Sequence, residues 1–198
     1  MGTKVGLPSG PEGESMRERV AIALALTVAG SAFAGTFSEI ESNNTLGTAN
    51  GLGIFNTPGG SVIIDAYLAD NDVDWFSFTL SDTSSLAIFA AFSAGSGADG
   101  ILQLVTDSGD VIAFDDDSGV GFLPALQVES LAAGTYYLGF SGFGDVDIGS
   151  IGSDELADGL GHDENFGYKL AVGFTIVPAP GAMALLGMGG LVISRRRR

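Results

Sequence analysis

Between residues 35 and 176 apolar and polar positions alternate with a period of two, and no stretch sustains the 3.6-residue period of an amphipathic helix. Asp74-Trp75-Phe76-Ser77-Phe78-Thr79-Leu80 sets Phe76, Phe78 and Leu80 on one face of a strand. Thr135 to Phe140 does the same with Tyr136, Leu138 and Phe140, and Tyr168 to Phe174 alternates large side chains with polar or small ones. Leu86 to Phe92, Ile101 to Val105, Val111 to Phe114 and Leu123 to Val128 are continuous apolar runs, expected to be strands covered on both faces. Turn residues separate these runs at Asp107-Ser108-Gly109-Asp110, Asp117-Ser118-Gly119 and Ala133-Gly134. Roughly seven or eight short strands at this spacing predict a single all-β domain, an antiparallel β-sandwich or jelly roll, with the aromatic stripes as its core. Residues 141–167 break the pattern: this segment is Gly/Asp-rich and aperiodic, and is expected to be a long disordered loop.

The two ends differ from this body. From Met16 the chain reads Met-Arg-Glu-Arg, then the apolar run Val20 to Gly30, then Ser31-Ala32-Phe33-Ala34. A charged start, an apolar stretch and an Ala-x-Ala site (Ala32 and Ala34) are the parts of a secretory signal peptide, so residues 16–34 are expected to form a signal helix cut after Ala34 by signal peptidase. Signal peptides begin at their basic region, so residues 1–15 are expected to be a mis-started or non-native leader ahead of a true start at Met16. At the other end Pro178-Ala179-Pro180 leads into an apolar stretch up to Ser194, closed by Arg195, Arg196, Arg197 and Arg198. That stretch is short for a stable span of roughly 20 residues and suits transient membrane insertion with the arginines held inside. The order of parts over residues 177–198 resembles the PEP-CTERM sorting signal, with Ala179 where that family usually has Glu. The resemblance implies processing by an exosortase-type membrane protease in a Gram-negative-type envelope, with release to the outer surface or an extracellular matrix.

Charge changes the picture further. Of the 24 acids and eight bases in the chain, residues 35–176 keep 21 acids and Lys169 alone, a formal charge of −20. Such a surface repels phosphate backbones, which excludes nucleic acid as a partner. The chain has no cysteine, so disulfides and thiolate metal or redox sites are excluded.

Several pieces in order resemble the bacterial pre-peptidase C-terminal domain. They are Glu41-Ser42-Asn43-Asn44-Thr45 with Ala49-Asn50, Asp72-Val73-Asp74-Trp75-Phe76-Ser77-Phe78, Leu102 to Ala113 with Asp115-Asp116-Asp117, Leu131 to Tyr137, and Gly167-Tyr168. That family is a β-sandwich appended to secreted proteases and is similar to the collagen-binding domains of clostridial collagenases. Several members of the wider group bind calcium where an acidic N-terminal segment meets a strand bearing Asp-x-Asp. The resemblance implies a calcium site from Glu39, Glu41, Asn43, Asn44, Asp72 and Asp74, a set of hard oxygen donors of the kind calcium takes. The alternative reading of those residues is a solvated acidic edge with Asn43 and Asn44 in a turn.

Other acidic patterns say less. Asp70-Asn71-Asp72-Val73-Asp74 imitates the start of an EF-hand, but Trp75 holds the glycine position and Ser81 that of the bidentate Glu. Asp115, Asp116 and Asp117, and Asp145 with Asp147, are weaker metal candidates that also fit exposed turns. The only histidine, His162, lies in the 141–167 segment without a Gly-x-Ser-x-Gly elbow and is expected to be a surface residue, so no nucleophilic or zinc-dependent catalysis is expected. The expectation is a non-catalytic surface or matrix protein whose sandwich contacts an exopolysaccharide or a surface protein. The alternatives are an accessory of a secreted hydrolase system and a purely structural envelope component.

Overall fold

The computed structural model describes residues 33–56, 59–145 and 155–177, with side chains from residue 35 onward. The predicted signal segment up to Ala32, the sorting tail from Pro178 and Asp147 lie outside the described residues. Ten strands lie within them: β1 (Phe33–Ser38), β2 (Asn50–Phe55), β3 (Gly59–Leu68), β4 (Val73–Leu80), β5 (Ser84–Gly95), β6 (Gly100–Thr106), β7 (Val111–Asp115), β8 (Ala125–Leu131), β9 (Gly134–Gly142) and β10 (Phe166–Ile176). The one helical element among them is a 3-10 turn at Leu46–Thr48, and no helix there is long and apolar enough to cross a membrane.

The strands form two five-stranded sheets, ordered β1-β3-β10-β5-β8 and β2-β4-β9-β6-β7. The sandwich is therefore as expected, but the sheets are mixed: β1 runs parallel to β3, and β2 parallel to β4. The cause is a crossing. The chain leaves β1 at the edge of the first sheet, passes over the end of the sandwich through residues 39–49, and joins the edge of the second sheet as β2. Neither edge strand is linked to its neighbour by a hairpin, so nothing imposes the antiparallel sense. Cleavage after Ala34 would leave Gly35–Ser38 still paired with Val62–Asp65.

The period-two stripes fill the space between the sheets. Phe76, Phe78 and Leu80 from β4, Tyr136, Leu138 and Phe140 from β9, and Tyr168, Leu170, Val172 and Phe174 from β10 are all buried in one cluster. It includes Val62, Ile64, Ala66 and Leu68 of β3, an alternation that the sequence reading passed over. Ring stacking organises the cluster, with Phe55 on Phe174 at 4.5 Å and Phe140 on Tyr168 at 4.0 Å between centroids. Buried aromatics of this kind dominate core energetics, and truncating one to Ala costs about 3–5 kcal/mol.

Coverage of the outer faces differs from expectation. Of the continuous apolar runs, β6 is covered on both sides: Leu102 and Leu104 face the sandwich, while Ile101 and Val105 join a second cluster with Val73, Trp75 and Ala157. By contrast, β5 turns Leu86, Ile88 and Ala90 inward and leaves Phe89 56% exposed on the other face. Edge strands β7 and β8 are likewise half-covered. The second cluster exists because residues 155–163, inside the segment expected to be a disordered loop, lie as a strap over the outer face of the second sheet. Gly139 admits that layer, since a Cβ there would stand 2.6 Å from the Trp75 ring. His162, expected at the surface, is 2% exposed in this strap.

Candidate metal centre

The crossing segment 39–45 runs over the start of β4, and hydrogen bonds fix its path. Glu39 N–H donates to Asp65 O at 3.0 Å, extending the β1–β3 ladder, and Trp75 N–H donates to Asn43 O at 3.0 Å on β4. Asn50 clamps the middle: its Oδ1 accepts from Ile40 N at 2.8 Å and its Nδ2 donates to Ile40 O at 2.9 Å. These contacts bring Glu39, Glu41, Asn43 and Asn44 to the start of β4, where Asp72 and Asp74 lie.

The same two-residue period that sends Phe76 and Phe78 inward sends Asp74 inward too. Asp74 is fully buried, and Tyr168 Oη donates to its Oδ2 at 2.6 Å. Its Oδ1 has no hydrogen-bond partner. One ligand atom each from Glu39, Glu41 and Asp74 lie within 4.8 Å of one another. Glu39 also accepts from Asn43 Nδ2 at 3.1 Å and from Tyr67 N at 2.9 Å, which aims its carboxylate into the cluster. Asn43, fully buried, has an unpartnered Oδ1, and so does Asn44.

The electrostatics follow from this crowding. Burial pushes the Asp74 carboxyl up to about 10, with further upward pressure from its contact with the Glu39 carboxyl and from that group's charge, and Tyr168 pulling down. Glu41 is raised as well, by its burial first and then by repulsion from Asp72 and Glu39. The Tyr168 phenol is driven well above its ordinary value by burial and then by Asp74. Lys169, the only lysine or arginine of residues 35–176, is committed elsewhere, with Nζ 2.6 Å from Asp65. Two facing carboxyls without a cation keep a proton between them or repel.

Asp72 is buried beside the cluster, close enough to Glu41 to raise that group, and it also accepts hydrogen bonds. Its Oδ1 accepts from Val73 N at 2.9 Å and from Asn44 Nδ2, and its Oδ2 accepts from Ala69 N at 3.4 Å. It thus holds the Asn44 amide while lying against Glu41. The weaker candidates are also occupied. Asp115 accepts from Ser118 Oγ at 2.5 Å, Ser118 N at 3.0 Å and Ala125 N at 2.8 Å, and Asp116 from Asp117 N at 2.9 Å. Asp145 is buried rather than in an exposed turn, and accepts from Ser141 Oγ at 2.7 Å and Gly159 N at 2.9 Å. Sequence reasoning counted Ala49-Asn50 and Gly167-Tyr168 among the pieces of the resemblance but gave neither Asn50 nor Tyr168 a part in the site, and Tyr168 looked like one more member of a core stripe.

Residues 72–142 match a family model. Its description is "Bacterial pre-peptidase C-terminal domain", and the matched stretch runs from Asp72 through β9. Among solved structures, the pre-peptidase C-terminal domain of a collagenase from Bacillus anthracis is similar at 16% identity and a TM-score of 0.42, over 63% of this chain and 93% of that one. PliG of Aeromonas hydrophila, a periplasmic inhibitor of g-type lysozyme, is similar at 11% identity and a TM-score of 0.39, over 73% of this chain and 100% of the other. No curated protein matches the sequence.

Proposed function

We propose that the chain is an exported, non-catalytic interaction module of a Gram-negative-type cell surface or matrix, whose sandwich is closed at one end by a calcium ion. The observation that carries the ion is the set of unmet oxygens: Asn43 Oδ1, Asn44 Oδ1 and Asp74 Oδ1 are buried without hydrogen-bond partners, on residues bonded to or clustered with Glu39, Glu41 and Asp72. Buried acceptors left unpaired are rare and costly, and three of them on the residues that gather at this end of the sandwich call for a ligand. Calcium takes six to eight oxygens from carboxylates, amides, backbone and water, which suits this donor set; the absence of nitrogen and sulfur donors disfavours zinc. Glu39, Glu41, Asp74, Asn43 and Asn44 would hold the ion, with Asp72 orienting Asn44. The ion supplies the positive charge the cluster lacks and ties the crossing segment to β4.

The non-catalytic reading is supported by the use made of His162. Its Nε2 donates to Asp72 O at 2.7 Å and its Nδ1 accepts from Glu164 N at 3.3 Å, so both ring nitrogens are spent on backbone. The address reading rests on the signal and PEP-CTERM-like ends, and predicts a mature protein beginning near Gly35 and lacking the apolar tail. Partner chemistry follows from charge: an acidic surface with a bound divalent ion suits an exopolysaccharide or another surface protein. The test is a thermal melt of the full chain in excess calcium and in chelator. With a dissociation constant of about 10⁻⁴–10⁻³ M, typical of extracellular sites, 10 mM calcium raises the melting temperature by about 3–10 °C. Coincident melts would remove the ion from the proposal.

A further inference from the structure

We infer that Gln103, Asp145 and His162 are positioning residues for the metal centre, acting by clamping the 155–163 strap onto the turn that carries Asp72. The inference rests on the calcium reading above. Gln103 and Asp145 are fully buried and His162 nearly so, and each makes at least one hydrogen bond to that strap or from it to the turn beneath. Gln103 Nε2 donates to Glu155 O and its Oε1 accepts from Ala157 N, both at 2.9 Å. Asp145 takes Gly159 N at 2.9 Å. His162 holds Asp72 O at 2.7 Å, while Asn71 Oδ1 accepts from Gly161 N at 3.0 Å.

An apolar lid over Trp75 would need none of these bonds. Directional bonds from buried polar groups fix a position as well as cover a surface. At Gly159 the strap presses on the turn itself: with φ at +80°, a Cβ there would stand 2.5 Å from the Asp72 carbonyl carbon and 2.9 Å from Val73 N. Asp72 is thereby held from outside by its backbone, while its carboxylate holds the Asn44 amide on the inner side. The chain of contacts runs from strap to Asp72 to Asn44, one of the proposed ligands, whose Oδ1 is buried without a hydrogen-bond partner. Groups that orient ligands without touching the ion typically change metal affinity about 10–100-fold when removed, and the coupling is reciprocal.

The experiment is a calcium titration by calorimetry on the full chain as it stands and with Gln103→Leu or Gly159→Ala, each also melted in chelator. Both variants should fold cooperatively and bind calcium about tenfold or more weakly, although neither residue is a ligand. Unchanged affinity in variants that merely melt earlier would make the strap a cover only and overturn the inference, leaving the calcium reading intact. Failure of the unaltered chain to bind would remove both. If the variants do not fold, hydrogen exchange on the unaltered chain decides. Calcium should slow the Ala157 and Gly159 amides more than those of β8 on the other sheet, and equal slowing would overturn the inference.

Discussion

Asp72-Val73-Asp74 and Asp115-Asp116-Asp117 are built from the same acid and sit in opposite situations. In the second motif the carboxylates are partly exposed and are used locally, Asp115 alone accepting three hydrogen bonds that close the turn into β8. In the first, Asp74 is carried into the sandwich by the strand period, lies against Glu39, and leaves one oxygen unmet. Acid density alone therefore does not locate an ion. Burial combined with unpaired acceptors is the better guide to a candidate site, because only the buried group cannot fall back on water.

The largest effect that would break this contrast lies at Asp74. Asp74→Asn is expected to weaken calcium binding by about a hundredfold or more, while leaving the fold in chelator at pH 8 about as stable, since Asp74 keeps its proton there and a neutral amide can donate to Glu39 in its place. Paired melts in calcium and chelator read both parts. Next comes Asp115→Ala, which should lower stability by about 2 kcal/mol in calcium and chelator alike, because it removes turn hydrogen bonds and no ligand. A calcium-dependent loss there would place an ion at the wrong motif.

The pH response sharpens the contrast. Without calcium, Asp74 holds its proton in the folded chain up to about 10 but releases it near 3.8 when unfolded. The folded state then binds more protons across that interval, so this group makes stability fall as pH rises from 5 to 8 in chelator. Calcium displaces the proton, so that slope should flatten in excess calcium and calcium affinity should increase with pH. A chelated protein whose stability climbs over the same interval would contradict the burial of a raised acid at this position. The smallest effect is expected for Asp116→Asn with Asp117→Asn, within about 0.5 kcal/mol in either condition, as for ordinary surface substitutions.

How much of this was legible beforehand follows the same division. Strands β4, β9 and β10 were readable because each alternates large apolar residues with polar or small ones, the signature of a strand with one face in a core. β5 was misread as covered on both faces because an apolar run does not reveal which of its sides finds a partner. Phe89 is left exposed only because no second cluster forms there among the described residues. The mixed sheets were invisible for a related reason: the sense of β1 and β2 depends on a crossing between sheets, and local patterning carries no information about that. The residues of the candidate metal centre were gathered by resemblance, and the structure clusters Glu39, Glu41 and Asp74, with Asn43 bonded to Glu39 and Asn44 to Asp72. Their roles were not legible, since the placement of Asp72 as support for Asn44, and of Tyr168 as donor to Asp74, depends on contacts across 28 and 94 residues of chain. The strap was hidden by its composition. A Gly/Asp-rich segment looks solvated, yet its glycines let the backbone lie against Asp72, and its polar bonds go to side chains distant in sequence.

The central claim is that Asp74 and its neighbours form one calcium site. A calcium titration of the full chain at pH 8, run beside Asp74→Asn and Asp116→Asn, tests it most directly. The account predicts one ion bound by the unaltered chain and by Asp116→Asn, and none in the same range by Asp74→Asn. Binding that survives Asp74→Asn, or no binding by the unaltered chain up to about 10 mM calcium, well above the range usual for extracellular sites, would contradict it.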